Sequence, residues 1–448
     1  MLTIPQALDR LDTILSAART AGADAADALY AGDASTSISV RLGALEDASR
    51  SEGEELGLRV FIGQRSASVT TSDLSPDALR EAAERAVAMA RLAPEDRYAG
   101  LAPEDLLLKS APAELDINDP VDLPSEQLKA LALEAEDAAR AIPGVSNSEG
   151  GGAAQGRANI ALATSTGFAA GRASSSYSLS ASVIAGQAAA MQRDYAWHAA
   201  RHFADLESAH DIGTRAGTRA TSRMNPIKLG TAQLPIVFDP RVSASLIGHF
   251  LGAITGSSIT RGTSFLKDKM GQRIFAPGLH IIDDPLRSRG LKSRSFDGEG
   301  LATRRLALVE DGILTTWLLD VASARQLGLS PTGHASRGTS GPPGASASNV
   351  HMAPGLLSPA DLIADIKRGV LVTELIGMGV NGLTGDYSRG AGGFLIENGQ
   401  ITVPVAEITI AGNLLDMFQN LTPASDLSFR HASNAPSLRV EGMTIAGS

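Results

Sequence analysis

The chain has 448 residues, 43% of them hydrophobic, which is enough for two or three domains with sizeable cores. Its formal net charge is -10 and Lys and Arg are scattered, so nucleic acid and anionic membrane surfaces are poor partners on electrostatic grounds. Cysteine is absent, which excludes disulfides, thiolate chemistry and Cys-liganded zinc and leaves His and carboxylates as the available metal ligands.

The first residues, Met1-Leu2-Thr3-Ile4-Pro5, lack a basic and apolar leader pattern. No later run reaches about 18 uninterrupted apolar residues, so a cytoplasmic protein without a membrane span is expected. Thr3 and Gln6 form a capping box, and Leu8, Leu11 and Leu15 recur on one face, predicting an opening helix up to Gly22. Ile38, Val40 and Leu42 alternate with Ser37, Ser39 and Arg41, predicting a strand over 36–42. Further antiparallel strands are expected over 56–62 and 65–71. Ser75-Pro76-Asp77 opens a second helix that stops before Pro94, so residues 1–105 read as a helix, meander, helix module.

Residues 94–124 are rich in Pro, Asp and Glu and read as a linker crossing the surface. A helix over 125–142 ends at Pro143-Gly144. A strand over 176–183 then sets Ser176, Ser178, Ser180 and Ser182 on one face against Tyr177, Leu179, Ala181 and Val183 on the other. Such a serine face is a surface on which a peptide could lie. A helix over 203–221 closes a central α+β region, 118–225, at Asn225-Pro226.

The remaining residues, 226–448, contain a short buried strand at Pro235-Ile236-Val237-Phe238 and a helix over 242–255. A hairpin turns at Asp311-Gly312, a loop without regular structure is expected over 338–348, and strands alternate with glycine turns to the end. The expected fold class is α+β: an N-terminal helix/antiparallel-sheet region followed by a mainly antiparallel β C-terminal domain with a few helices.

Several patterns carry possible chemistry. His198 and His202 are four apart and would share a helix face, with His210 as a third ligand. Ala199 stands where a metallopeptidase helix would carry its general base, which favours surface histidines without metal. Gly377-Met378-Gly379-Val380-Asn381-Gly382 spells a dinucleotide fingerprint, but the glycines that follow cannot open the helix it requires. No nucleophile elbow or phosphate loop is present. Asp283-Asp284 and Asp297-Gly298-Glu299 are either acid/base or cation-binding pairs, or turn and cap residues, the simpler reading. Finally, Gly385-Asp386-Tyr387-Ser388-Arg389-Gly390-Ala391-Gly392-Gly393 packs a carboxylate, a phenol, a hydroxyl and a guanidinium among glycines. It suits a binding surface as well as a tight corner in which Asp386 caps its turn and pairs with Arg389.

Several segments in the same order point to one family: Arg261-Gly262-Thr263-Ser264-Phe265-Leu266, Asp283-Asp284-Pro285, Phe296-Asp297-Gly298-Glu299-Gly300, Gly385-Asp386-Tyr387-Ser388-Arg389-Gly390, Ile396-Glu397-Asn398-Gly399 and Glu407-Ile408-Thr409-Ile410-Ala411-Gly412-Asn413-Leu414. Through them the chain resembles the TldD/PmbA family, specifically its PmbA (TldE) branch. The resemblance implies a cytoplasmic TldD/TldE heterodimer that encloses a cavity and cuts small unfolded peptides, including leader peptides of microcin-type precursors. It also implies zinc on a His-Glu-x-x-x-His helix of the TldD-type partner, completed by a cysteine. With Gly256 and Arg261-Gly262-Thr263-Ser264 setting the register, those helix slots fall here at Ile247, Gly248 and Gly252, beside a lone His249. The resemblance therefore implies a subunit with no catalytic residue, metal or cofactor of its own. Its expected peptide-facing residues are Asp386, Tyr387, Ser388, Arg389, Gly390, Gly393 and His249. A homodimeric peptide-binding scaffold is the alternative.

Overall fold

In a computed structural model, which describes residues 1–447 except the Ala189 side chain, the chain folds as an α+β protein. Helix α1 (Ile4–Thr20) starts on the expected capping box, with Gln6 N–H donating to Thr3 Oγ1 and Thr3 N–H to Gln6 Oε1. Strands β1 (Ala25–Arg41), β2 (Ala44–Ile62) and β3 (Arg65–Thr71) lead to α2 (Pro76–Leu92). Helix α3 (Ser125–Arg140), β4 (Val145–Thr164), β5 (Ala169–Ala185), β6 (Gln192–Ala200) and α4 (Ala209–Ser222) follow. All six strands form one sheet in the order β3-β2-β1-β4-β5-β6. β1 and β4 join the two halves, from Asp27 opposite Thr164 to Val40 opposite Gly151.

β1 is much longer than the alternation over 36–42 predicts, because its first half is buried on both faces and shows no polar side. Ala26, Ala28 and Tyr30 of β1 and Leu56, Leu58 and Val60 of β2 form one core with α1 and α2. Leu29, Leu162 and Phe168 meet Phe296 and Leu301 of the C-terminal half. On β5, Tyr177, Leu179, Ala181 and Val183 pack with residues of α3 and α4, while Ser176 and Ser180 are exposed. Residues 94–124 do not run freely over the surface: Leu107, Leu115, Ile117 and Leu123 are buried, and Leu107 bridges to Leu301. Single apolar anchors without a period leave no sequence signature. The expected helix over 203–221 begins only at Ala209, after a 3-10 turn at Phe203–Asp205.

The C-terminal half opens with β7 (Ala232–Phe238), α5 (Pro240–Ala253) and α6 (Gly256–Thr260). A small sheet is built from β8 (Ile281–Asp283), β9 (Leu306–Glu310) and β10 (Ile313–Leu314), with α7 (Val321–Leu327) after it. The stretch 338–348 is not without regular structure, since β11 (Ala335–Ser336) and β12 (Gly344–Ala345) pair across it. β13 (Val350–Met352) joins the small sheet, α8 (Pro359–Ile363) follows, and then come β14 (Arg368–Ile376), β15 (Asp386–Glu397) and β16 (Gln400–Asn413). Helix α9 (Leu414–Gln419), β17 (Leu421–Pro423), β18 (Ser433–Asn434) and β19 (Leu438–Ala446) complete the chain.

The larger C-terminal sheet runs β16-β15-β14-β7-β19-β17, and β16 also pairs with β19, Ile410 opposite Ile445. Five strands thus close on themselves, which removes free edges from that part of the sheet. Leu246, Ile247 and Phe250 of α5 share its core with Ile236, Phe238, Val370, Tyr387 and Ile410. Arg241 of α5 holds Asp194 of β6 at 2.9 Å, and Arg223, just after α4, reaches both Asp194 and Glu374 of β14. These ion pairs fix α5 and β14 against the N-terminal sheet.

Candidate functional site

The glycine-rich segment is less a loop than a strand. β15 is paired to β16 from Asp386 opposite Asn413 onward, and its other side is taken by β14 from Gly390 and by residues 379–381 before that. Ser388 N–H donates to Gly379 O at 2.7 Å and Asn381 N–H to Asp386 O at 2.9 Å. Main-chain pairing with a further strand is therefore closed off here, and contacts must come from side chains. Gly377 to Gly382 form the turn between β14 and β15, with no helix after it.

Alternation along β15 separates the named residues. Asp386 and Ser388 are exposed, Arg389 and Gly390 half-buried, and Tyr387 and Gly393 buried. Asp386 caps its own turn, accepting from Thr384 Oγ1 at 2.6 Å and from Asn413 Nδ2 at 3.3 Å. It does not pair with Arg389, which makes no ion pair among the described residues and whose Nε is buried without an acceptor. Gly393 serves packing: an added Cβ would overlap the Leu371 carbonyl oxygen across the β14–β15 ladder. Gly393→Ala is expected to cost about 1–3 kcal/mol of stability, as overpacking does, read as a lowered denaturation midpoint.

His249 comes from α5 and faces this strand, its ring edge-on to Tyr387 with centroids 6.0 Å apart. Burial, with the Arg389 charge as a second cause, holds its pKa below the usual histidine value. Burial pushes the Tyr387 phenol up to about 12. The structure thus brings His249, Tyr387 and Arg389 together and leaves Asp386, Ser388, Gly390 and Gly393 outside that group. Ser245, one turn before His249 on the same helix face, also has its Oγ buried without a partner. Helical spacing from His249 is the signal that could have found it.

On the same helix the slots at Ile247, Gly248 and Gly252 offer no donor atom; Ile247 is 1% exposed in the core and the two glycines face outward. A zinc ion does not fit these residues. The other histidines are dispersed. His198 lies in β6 and His202 precedes the 3-10 turn, so no helix carries the pair. His202 Nε2 sits 2.9 Å from the Asp116 carbonyl, and His198 Nδ1 accepts from Glu207 N–H at 3.1 Å. Among the described residues no three His, Asp or Glu side chains are grouped as a metal would need.

Of the acidic pairs, Asp283, Asp297 and Glu299 are buried, while the half-buried Asp284 caps a turn by accepting from Leu286 N–H at 3.2 Å. Asp283 accepts from Ser348 Oγ at 2.7 Å and lies 2.8 Å from His334 Nε2, all of them buried. Asp297 accepts N–H groups of Glu299, Leu301 and Ala335, and Glu299 that of Val321. A cavity of about 820 Å³ opens elsewhere, between β6, α4 and the N-terminal end of α5, lined among others by Tyr195, Trp197, Arg219, Arg241 and His431.

Comparisons with known proteins agree along the whole chain. Residues 231–447 match the PmbA/TldA metallopeptidase C-terminal domain, 118–224 its central domain and 26–90 its domain 1. The chain is 38% identical to metalloprotease PmbA of Escherichia coli O157:H7, covering 95% of this chain and 92% of that one. It is 28% identical to a metalloprotease TldD homolog of Haemophilus influenzae over 47% of this chain and 42% of that one. Among solved structures, a putative modulator of DNA gyrase from Bacteroides thetaiotaomicron superposes with a TM-score of 0.92 at 26% identity over 100% of both chains. TldE from Thermococcus kodakarensis shares the fold, with a TM-score of 0.84 at 22% identity over 98% of this chain and 100% of that one. The chain belongs to the PmbA/TldD metallopeptidase family, on its PmbA side.

Proposed function

We propose that the chain is the non-catalytic subunit of a two-chain zinc metallopeptidase, and that a TldD-type partner supplies the metal and the general base. The observation that carries this reading is the donor set of α5: Ile247, Gly248 and Gly252 can neither bind zinc nor accept a proton. Similarity to metalloprotease PmbA and, along 47% of the chain, to a TldD homolog supports the pairing. The complex would act in the cytoplasm on small unfolded peptides, leader peptides of microcin-type precursors among them. This chain would form part of the chamber wall, with His249, Tyr387 and Arg389 on the peptide side.

Co-expression with a tagged TldD-type chain from the same organism tests the partnership. A stable one-to-one complex on size exclusion is expected. A chain that remains a homodimer and ignores that partner would instead support the peptide-binding scaffold.

A further inference from the structure

Ser245 Oγ, His249 Nε2, Tyr387 Oη and Arg389 Nε are all buried without hydrogen-bond partners. Buried polar groups in folded proteins are nearly always satisfied, so several orphans on two facing elements mark a place where something else supplies the partner. Tyr387 is the sharpest case, 2% exposed, its hydroxyl close to the Arg389 guanidinium but in no well-formed hydrogen bond. It stands beside Arg389 on one face of β15, two residues apart, while Ser245 and His249 occupy one face of α5.

The helix face carries a second feature. Gly248 and Gly252 fall on the same stripe as Ser245 and His249, at i+3 and i+7, and both are exposed. A Cβ added at either would meet nothing within 4 Å, so no packing demands glycine there. Glycine inside a helix is disfavoured relative to alanine, so bare backbone at both positions leaves room for a chain to lie close.

The chemistry of the orphans selects the ligand. Arg389 is a fixed cation with donors alone. The buried phenol of Tyr387 stays protonated and donates, the uncharged imidazole of His249 offers an N–H, and Ser245 adds a hydroxyl. A donor-rich set around one guanidinium matches a carboxylate, which accepts and does not donate. We propose that the seam between α5 and β15 binds the C-terminal carboxylate of a peptide whose backbone runs along the stripe of Gly248 and Gly252. This rests on the peptide-binding part of the function proposed above, and names which end of the peptide the chain holds.

Fluorescence anisotropy on the full chain tests it, using a labelled pentapeptide of Gly, Ala and Ser with a free C-terminal carboxylate and the same peptide as its C-terminal amide. The acid is expected to bind at least about 10-fold more tightly, the scale of one hydrogen-bonded charge. Arg389→Met should erase that preference. Tyr387→Phe should weaken the acid about 3- to 10-fold while leaving the melting temperature unchanged or raised, since its hydroxyl makes no well-formed hydrogen bond to lose. A merely structural tyrosine would show the opposite pattern.

Equal binding of acid and amide overturns the carboxylate site and leaves the peptide-chamber reading intact, because cleavage by the mixed subunits is a separate measurement. An amide peptide carrying one Glu that binds as well as the acid would assign the site to a side chain and overturn the terminal assignment. If neither peptide binds the chain alone, the titration is run on the complex with the TldD-type partner, and no preference there also overturns the proposal.

Discussion

Asp27→Asn is expected to destabilise the chain by about 3–5 kcal/mol, the range for removing one partner of a buried ion pair. Asp27 is 1% exposed on β1, on the sheet face turned away from α1 and α2. Arg59 of β2, 6% exposed, donates to it through Nε at 3.2 and 3.1 Å. Arg337, in the turn between β11 and β12, reaches the same carboxylate with a side chain fully withdrawn from solvent. Burial alone would push the Asp27 carboxyl up, but the two guanidinium charges hold it below the usual carboxylate range. Without the charge of Asp27, both cations stay buried and lose their ion-pair partner, and Arg337 already has Nε and Nη2 without acceptors. Because Arg337 belongs to the C-terminal half, the loss should loosen the contact between the halves as well as the sheet. Urea denaturation and limited proteolysis near 337–344 both read this, and a loss below about 1 kcal/mol would contradict it. Combining Asp27→Leu with Arg59→Leu should recover part of the stability, since the hydrophobic replacement of a buried pair is better tolerated than its half-removal.

The second large effect is a pH dependence. Glu299 is 4% exposed, and burial, with the Asp297 charge next, raises its carboxyl to about 8. The native state therefore keeps a proton that the unfolded chain has released, so stability falls as pH rises until the native carboxyl ionises as well. Below pH 6.5 the half-buried His198, His249, His351 and His431, whose pKa values burial lowers, act in the opposite direction. Asp297, whose carboxyl burial also raises, acts in the same direction, so the window in which these two carboxyls dominate is about pH 6.5 to 8. At most about 1.4 kcal/mol per pH unit is lost there through Glu299, about 2 kcal/mol in all. Glu299→Gln keeps a neutral acceptor for the Val321 N–H, now held at 2.8 Å, and should flatten the slope. Parallel thermal-melting curves for the two proteins from pH 6.5 to 8 would refute the assignment.

The legible parts of the fold were those set by local chemistry. The capping box at Thr3 and Gln6, Ser75 before α2 and the turn at Asp311-Gly312 all act over a few residues, and the structure has α1, α2 and the β9–β10 hairpin where they point. The first half of β1 was hidden because both faces are covered and polar alternation disappears, and β4 because Gly150-Gly151-Gly152 interrupts any strand pattern. Closure of β16 onto β19 depends on partners more than thirty residues apart and leaves no local trace.

At the site, His249, Tyr387 and Arg389 were named from sequence, but not their grouping. The suggested pairing of Asp386 with Arg389 fails for a simple reason: residues three apart on a strand point to opposite faces. Had that segment been taken as strand from its first residue, the unpaired arginine would have been foreseeable. The His198/His202 pair failed for the converse reason, since four-residue spacing joins two side chains only on a helix and β6 is a strand.

The central claim, that this chain shapes a peptidase chamber without performing its chemistry, meets its most direct test in one assay. Zinc content and peptide hydrolysis are measured on the purified chain alone and after mixing with a TldD-type protein. The account predicts no stoichiometric zinc and no cleavage for this chain by itself, and zinc-dependent cleavage in the mixture that exceeds the partner alone. Zinc bound one-to-one by this chain together with cleavage that a chelator abolishes would contradict it.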